Sequence, residues 1–195
     1  MILDAYDEPV RALGWVPVEG RGSLPFALLQ GESLVACAAW ALGEAEVDLV
    51  DVDSGWDAVR HAGRPVVVHD PLCPGTPPEF VAAAVAETLA SDRVVVGARP
   101  VTDTLKQVEG DPARIGATVD RDLLVQVVSP LVLPARVVAA LAEPPDTTDL
   151  VSLVAELRTT EQVSLLDAPV SARRIQDEDD LPVLEALIAR GATGP

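Results

Sequence analysis

Residues 65–98 read PVVVHDPLCPGTPPEFVAAAVAETLASDRVVVGA. Two valine-rich runs, Pro65–His69 and Arg93–Ala98, stand on either side of an alanine-rich stretch, Pro78–Ala90, that begins with prolines. A continuous β-branched run is typical of a strand that is buried on both faces, and proline is well tolerated in the first turn of a helix. The order strand, helix, strand predicts a parallel βαβ unit and hence an α/β fold.

The same alternation continues on both sides of this unit. We expect further strands at Gly14–Val18, Val47–Val52 and Val163–Leu166, and further helices at Ser33–Leu42, Pro134–Ala142, Thr147–Leu157 and Asp179–Arg190. The sequence therefore predicts one domain over residues 1–195, with a mostly parallel, Rossmann-like sheet flanked by helices.

Residues 102–121 interrupt the alternation. The short mixed segments Thr102–Gln107 and Ile115–Thr118 are separated by the turn signal Gly110-Asp111-Pro112, and a third segment, Leu123–Val128, follows them. Short strands joined by tight turns pair in an antiparallel way. We expect an antiparallel arm over residues 102–121 that leaves the main sheet.

The charge balance excludes several classes of partner. The chain has 31 Asp and Glu but 14 Lys and Arg, a formal net charge of -17. So acidic a chain is not expected to bind nucleic acid or an anionic membrane surface. No apolar run is long enough to span a membrane, and residues 1–4 lack the basic start of a secretory signal. With Cys37 and Cys73 as reduced thiols, these features predict a cytoplasmic protein.

Three places in the sequence are candidates for chemistry. Gly20, Arg21 and Gly22 lie in the loop after the first strand, where glycines let backbone N–H groups approach a phosphate. From the loop alone we favour the other interpretation, a plain tight turn. Asp70 follows a buried strand, where an α/β sheet binds its ligands. It is placed to bind a metal ion or a substrate hydroxyl, or else to cap a turn.

The third candidate lies in the predicted arm. Asp103, Thr104 and Lys106, the only lysine, form a polar cluster, and Arg121 follows. A lysine, an arginine and a threonine hydroxyl together can hold a phosphate monoester. The other interpretation is a hairpin whose strands are joined by ion pairs.

Three segments give the chain a family resemblance. Residues 100–106, PVTDTLK, resemble the Pro-Val-x-Asp-Thr-Ile-Lys pattern of the methylerythritol-phosphate cytidylyltransferases, and residues 118–124, TVDRDLL, resemble their Thr-x-Asp-Arg-x-x-Leu pattern. Residues 66–70, VVVHD, resemble the strand before their Ala-Ala-Arg-Pro. The resemblance implies a nucleotidyltransferase fold that acts in isoprenoid biosynthesis. Such an enzyme transfers CMP from CTP, with Mg²⁺, to the phosphate of methylerythritol phosphate.

The resemblance also assigns roles to the candidate residues. It implies a metal role for Asp70, a remnant of the nucleotide loop in Gly20, Arg21 and Gly22, and a sugar-phosphate site at Asp103, Thr104, Lys106 and Arg121. It further implies a homodimer built through the arm, in which those last four residues pair; of the two roles for them, we favour the dimer.

The departures from the family lie mainly on the CTP side. The first loop is short, and Leu24 and Phe26 stand at its Arg and Lys positions, while Glu19 adds negative charge. Cys73 stands at the Arg of Ala-Ala-Arg-Pro, and a late Lys is replaced only loosely by Arg173 or Arg174. Nucleotidyl transfer depends on positive charge around the phosphates.

We therefore predict a family member whose CTP site is eroded and which is weakly active or inactive. Two alternatives stay open. One is an active cytidylyltransferase acting on methylerythritol phosphate or another sugar phosphate. The other is a non-catalytic, dimer-forming regulatory or structural protein.

Overall fold

The chain folds around one six-stranded sheet, seen in a computed structural model that describes residues 10–50 and 55–192. The strands within these ranges are β1 Leu13–Trp15, β2 Leu28–Leu29, β3 Glu32–Ser33, β4 Asp48–Leu49, β5 Val66–Val68, β6 Val94–Pro100, β7 Leu105–Glu109, β8 Arg114–Val119, β9 Val125–Leu133 and β10 Val163–Asp167. The α-helices are α1 Leu34–Glu44, α2 Trp56–His61, α3 Pro78–Ser91, α4 Ala135–Ala140, α5 Leu150–Leu157 and α6 Leu181–Ala192.

The main sheet is mixed, with strand order β10-β6-β9-β5-β1-β4. The pairs β1–β4, β1–β5 and β6–β10 are parallel, whereas β9 runs antiparallel to both of its neighbours, β5 and β6. The predicted α/β class with a mostly parallel sheet is thereby confirmed.

Strand β9 differs from the prediction. The sequence predicts only a short strand, Leu123–Val128, beside the arm, but β9 continues to Leu133 through the centre of the sheet. Its pairing with β6 shifts register between Val96 and Gly97, so that Ser129 and Pro130 are left out of the ladder. A bulge accommodates a proline inside a strand because the missing N–H has no ladder partner to lose.

Both faces of the sheet are covered, and the core is aliphatic. Val66 and Val68 point to one face, where they pack with residues of α2, α4 and α5, whereas Val67 points to the other face and packs with residues of α1 and α3. A third cluster joins Leu29, Leu34, Leu72, Ile175 and Leu184 beneath α6. The alternation along β5 thus explains why its run of valines has no polar position.

The helices follow the prediction closely, with one addition. Ser33 caps α1, since its hydroxyl accepts a hydrogen bond from the Ala36 N–H at 3.3 Å. The short helix α2 was not predicted; its Trp56 indole donates to the Leu141 carbonyl at 3.0 Å. Residues 51 and 52 of the predicted strand Val47–Val52 lie outside the described residues, and so do residues 1–4. No helix in the described parts of the chain is long and apolar enough to cross a membrane.

The arm is a separate hairpin. Strands β7 and β8 pair only with each other, with Leu105 opposite Val119 and Lys106 opposite Thr118. Val108 and Ile115 are largely exposed, at 76% and 82%. The predicted antiparallel arm over residues 102–121 is therefore present, and it carries apolar side chains that nothing within the described chain covers.

Candidate functional site

The candidate site lies at the carboxyl end of β5, where Asp70 is the second residue after the strand. The loop after β1 and the segment between β10 and α6 both reach this edge. Asp70 is 2% exposed, although a buried carboxylate is costly unless it is paired. What surrounds this carboxylate decides what the site can do.

Arg21 is the first partner of Asp70. Its Nε donates to Asp70 Oδ1 at 2.8 Å, and both side chains are almost wholly buried. Its Nη1 donates to the Glu19 carbonyl at 2.8 Å and its Nη2 to the Thr147 carbonyl at 2.7 Å. All three nitrogens of this guanidinium therefore serve to join the first loop to β5 and to the segment before α5.

Arg174 is the second partner. Its Nε donates to Asp70 Oδ2 at 2.9 Å, and the Leu72 N–H donates to Oδ1 at 3.0 Å. Burial raises the pKa of Asp70, but the charge of Arg21 and the hydrogen bonds from Arg174, Leu72 and Arg21 outweigh it, so that the pKa falls below its ordinary 3.8. Asp70 is thus a carboxylate held ionised between two arginines.

This environment does not suit the metal role predicted for Asp70. Two guanidinium groups at hydrogen-bond distance repel a divalent cation, and Mg²⁺ needs several free oxygen ligands. Across residues 10–50 and 55–192, no group of three or more His, Cys, Asp or Glu side chains could hold a metal ion. The bond from Leu72 fits instead the alternative interpretation, in which Asp70 caps the turn after the strand.

His69 points into the protein beside this cluster. Its Nδ1 lies 2.6 Å from Ser129 Oγ, and the same hydroxyl oxygen accepts from the Asp70 N–H at 2.9 Å. Nε2 has no partner within the described chain. Burial lowers the pKa of His69 to about 4. His69 is therefore neutral at pH 7 and structural. The Ser129 side chain, carried by the β9 bulge, joins β9 to the residues that follow β5.

The first loop is a tight turn packed against its neighbours. Gly20 and Gly22 both have positive φ, +73° and +59°. A Cβ at Gly20 would lie 2.8 Å from Cγ2 of Thr148, whereas one at Gly22 would meet nothing within 4 Å. Gly20 is thus required for the close approach of the loop to residue 148. The role of the loop in binding phosphate stays a prediction.

Two further arginines, Arg99 and Arg173, act on each other near this site, and of these the sequence analysis did not single out Arg99. Arg99, at the end of β6, has a pKa lowered by burial and by the charge of Arg173. Arg173 itself donates to Asp180 at 3.2 Å. A guanidinium whose charged form is disfavoured by a neighbouring guanidinium favours an anion beside it. The sequence signal for Arg99 was only its place at a strand end.

Cys73 stands where the resembled family has arginine, yet positive charge surrounds it. Burial and the charge of Asp70 raise the pKa of this thiol to about 12, while Arg174 and Arg21 act in the opposite direction. The thiol is 0% exposed and hence unreactive. Two arginines from other segments therefore lie close enough to position 73 to act on its side chain.

The candidate residues of the arm are not joined to this cluster. Lys106 Nζ donates to Thr118 Oγ1 at 2.6 Å, and Arg121 donates to the Thr102 carbonyl. Asp120 accepts from the Asp122 N–H at 3.1 Å. Asp103 and Thr104 are exposed. The two cations stabilise the hairpin, through neutral oxygens instead of the carboxylate pairs that the sequence suggested.

Comparisons with known proteins agree with this architecture. The sequence model of the family described as "IspD: 2-C-methyl-D-erythritol 4-phosphate cytidylyltransferase" matches residues 46–190. The chain is 34% identical over 143 residues to the 2-C-methyl-D-erythritol 4-phosphate cytidylyltransferase of Frankia casuarinae, which covers 69% of this chain and 53% of that protein. It is 30% identical over 150 residues to the 2-C-methyl-D-erythritol 4-phosphate cytidylyltransferase of Chlorobium luteolum, which covers 69% of this chain and 62% of that protein. The chain thus spans less than two thirds of the length of these relatives.

Solved structures share the fold over nearly the whole chain. A crystal structure of 4-diphosphocytidyl-2C-methyl-D-erythritol synthase superposes with a TM-score of 0.69 at 18% identity, covering 93% of this chain and 99% of that one. The crystal structure of the 2-C-methyl-D-erythritol 4-phosphate cytidylyltransferase of Thermus thermophilus superposes with a TM-score of 0.65 at 22% identity, covering 93% of this chain and 98% of that one. Together with the family match over residues 46–190, these findings show that the chain belongs to the 2-C-methyl-D-erythritol 4-phosphate cytidylyltransferase family.

Proposed function

We propose that this chain keeps the cytidylyltransferase fold but binds CTP poorly, and that it is a weakly active or inactive member of its family. The observation that carries the proposal is the state of Arg21. Arg21 is the only cation of the first loop, and its three nitrogens are all committed to Asp70 and to two carbonyls. A triphosphate would have to displace these buried bonds to gain the charge of Arg21.

The rest of the loop offers no replacement. Glu19 is an exposed carboxylate, and Phe26, which resembles the family's lysine position, presents an aromatic ring that is 60% exposed. The stretch that matches the family model begins at residue 46, after this loop. Removing one preorganised donor to a transition-state charge costs roughly a hundred- to a thousandfold in rate, so several absent donors should leave little turnover.

An active enzyme is the second candidate, and the arginine cluster favours it. Arg99, Arg173 and Arg174, which lie outside the first loop, could meet phosphate charge. In that case the substrates would be CTP and methylerythritol phosphate or another sugar phosphate, with Mg²⁺ as cofactor. Because Asp70 is bound by two arginines, the metal would have to be held mainly by the phosphates of the nucleotide.

The arm supports a homodimer. Val108 and Ile115 face each other across the hairpin and are both largely exposed. Apolar pairs of this kind on a projecting hairpin are typically covered by a partner. A second copy of the chain is the simplest partner, since one arm can then lie against the other copy about a two-fold axis. A regulatory or structural role for such a dimer needs no CTP site.

Calorimetry with CTP and MgCl2 tests the proposal. We expect a dissociation constant no tighter than about 1 mM, and pyrophosphate release with methylerythritol phosphate close to background. Phe26→Lys with Leu24→Arg should strengthen CTP binding only modestly, because the loop also stays short. Micromolar CTP affinity would overturn the proposal. If that affinity disappeared in Arg99→Ala but survived in Arg136→Ala, an exposed arginine elsewhere, the active-enzyme alternative would stand instead.

A further inference from the structure

A groove of about 950 Å³ is lined by residues other than Arg99, Arg173 and Arg174. It is bounded by α1, by the segment that leads into α3 and by α6. Apolar side chains dominate its lining, among them Leu29, Cys37, Trp40, Pro77 and Ile188. Its size falls at the upper end of the range for small-molecule sites. Arg21, Asp70 and Arg174 do not line it, so it is separate from the candidate site described above.

The floor of the groove is rigid. A Cβ at Gly75 would lie 2.5 Å from the Ser171 carbonyl oxygen and 2.9 Å from Cδ1 of Leu184, so the backbone there packs directly against its neighbours. The Thr76 hydroxyl donates to the Cys73 carbonyl at 2.8 Å. A ligand would therefore find a largely preformed surface, which reduces the cost of ordering on binding.

The charged residues of the lining are all acidic. They are Glu32 and Glu79, and among the residues that the structure describes no lysine or arginine lines the groove. Neither carboxylate forms an ion pair with any residue of the described chain. Burial and the charge of Glu32 raise the pKa of Cys37, so Glu32 lies close enough to this lining residue to act on its thiol. The groove thus carries two exposed carboxylates, without an ion-pair partner in the described chain, beside its apolar wall.

Trp40 adds an aromatic surface to the lining of the groove. Its indole is 61% exposed, whereas Trp15 and Trp56 are each 8% exposed. Aromatic residues make up only 3% of the chain, so an exposed tryptophan on the rim of a groove is conspicuous. A groove lined by both an indole and carboxylates offers the groups that bind organic cations, through cation–π attraction and ion pairing.

We propose that this groove binds an organic cation with an apolar body, such as an alkyl- or arylammonium compound. The cationic centre lies against the Trp40 indole and near Glu32 and Glu79, and the apolar body packs on Leu29 and Ile188. An anionic or purely apolar ligand of the same size is disfavoured, the first by the two carboxylates and the second by the desolvation of carboxylates left unpaired. None of these groove residues belongs to the candidate site around Asp70.

Titration of the full chain with benzyltriethylammonium chloride tests this. We expect saturable quenching of tryptophan emission with a dissociation constant below about 1 mM, and protection of Cys37 from alkylation by iodoacetamide. Cys73 is wholly buried, so Cys37 gives the signal. Benzenesulfonate and benzyl alcohol, an anion and a neutral compound of similar body, should bind at least about tenfold more weakly.

Variants separate the contributions. Trp40→Leu keeps the apolar bulk and should weaken binding about tenfold, with calorimetry as the readout since the fluorophore is lost. Glu32→Gln with Glu79→Gln should weaken it similarly and abolish its dependence on salt. Leu89→Ala, an exposed residue of α3 outside the groove, should change nothing.

Two outcomes would overturn the proposal. One is equal binding of all three probes, or no saturable binding of the cation up to about 10 mM. The other is protection of Cys37 that increases with protein concentration in the absence of any probe, which would identify a second copy of the chain as the occupant.

Discussion

The guanidinium of Arg21 and the carboxylate of Asp70 form an ion pair at 2.8 Å in which the two side chains are 2% and 3% exposed. The residues come from two different loops, 49 positions apart in the sequence. Breaking a buried pair leaves an uncompensated charge, which costs more than the pair itself contributes. The first loop is thus held by a contact that also removes its only cation from solvent.

Arg21→Met should therefore destabilise the protein. The substitution leaves Asp70 buried with Arg174 as its remaining cation, and leaves the carbonyls of Glu19 and Thr147 without their donor. We expect a loss of about 3 kcal/mol in the free energy of unfolding, measured by urea denaturation at pH 7. Arg174→Met removes a more exposed partner, with a side chain that is 37% exposed, and should cost about 1 kcal/mol.

The double variant Arg21→Met with Asp70→Leu gives the control. Removing both charges avoids the unpaired carboxylate, so it should be more stable than Arg21→Met alone. If Arg21→Met and Arg174→Met had equal and small effects, the pair with Asp70 would not hold the loop.

His69 should make the protein less stable in mild acid. Its folded pKa of about 4 lies below the ordinary 6.5, so the unfolded chain takes up the proton first as the pH falls. Stability from this group is complete above pH 6.5 and is lost as the pH falls towards 4. Between pH 7.5 and 5.5 we expect a loss of about 1.4 kcal/mol in the free energy of unfolding.

His69→Asn tests that expectation, because asparagine can keep the bond to Ser129 but does not titrate. The loss between pH 7.5 and 5.5 should disappear in this variant. His61→Asn replaces the other histidine, which is exposed, and is the matched control. Loss of the pH dependence in His61→Asn instead would contradict the assignment. Below about pH 5 the lowered pKa of Asp70 adds to the acid sensitivity of both variants.

The arm should control oligomeric state. Ile115→Asp places a charge on the exposed apolar pair of the hairpin and should raise the dimer dissociation constant at least about a hundredfold. Lys106→Ala and Arg121→Ala should raise it less, through loosening of the hairpin. Sedimentation over a range of protein concentrations measures these values.

Salt provides a second readout for the dimer. Two copies that each carry a formal charge of -17 repel each other, so association should tighten as ionic strength increases. A wild-type protein that sediments as a monomer at micromolar concentration in high salt would refute the dimer.

Gly20 and Gly22 form a matched pair for testing the first loop. Gly20→Ala suffers both from positive φ and from the 2.8 Å contact with Thr148, whereas Gly22→Ala suffers from φ alone. We expect losses of about 2–3 kcal/mol and about 1 kcal/mol in the free energy of unfolding. Thr148→Ser removes the clashing methyl group but keeps the hydroxyl that donates to Asp146, so it should partly rescue Gly20→Ala. Equal effects of the two alanine variants would contradict the close packing of this loop.

The sequence by itself determined the βαβ unit, the arm and the family. Each of these was predicted from a short stretch of sequence, because burial on a sheet and helix periodicity are local patterns. The stretches are the valine runs, the alanine-rich helix and the turn at Gly110. The motifs at residues 66–70, 100–106 and 118–124 are equally local. Such short stretches could not show that β9 continues past Pro130 to the middle of the sheet. A proline disfavours a central strand unless a bulge accommodates it, and the bulge is visible only in the structure.

Only the tertiary structure decided which charges meet. Arg21 reaches Asp70, Thr147 lies 126 positions from Arg21, and Arg174 lies 104 positions from Asp70. Asp70 at the end of β5 was the natural candidate for a metal ion, but two arginines from other segments occupy its oxygens. Sequence spacing does not show which loops converge on one edge of a sheet. A buried carboxylate must be paired, so its partner is the cation that the fold places within hydrogen-bond distance.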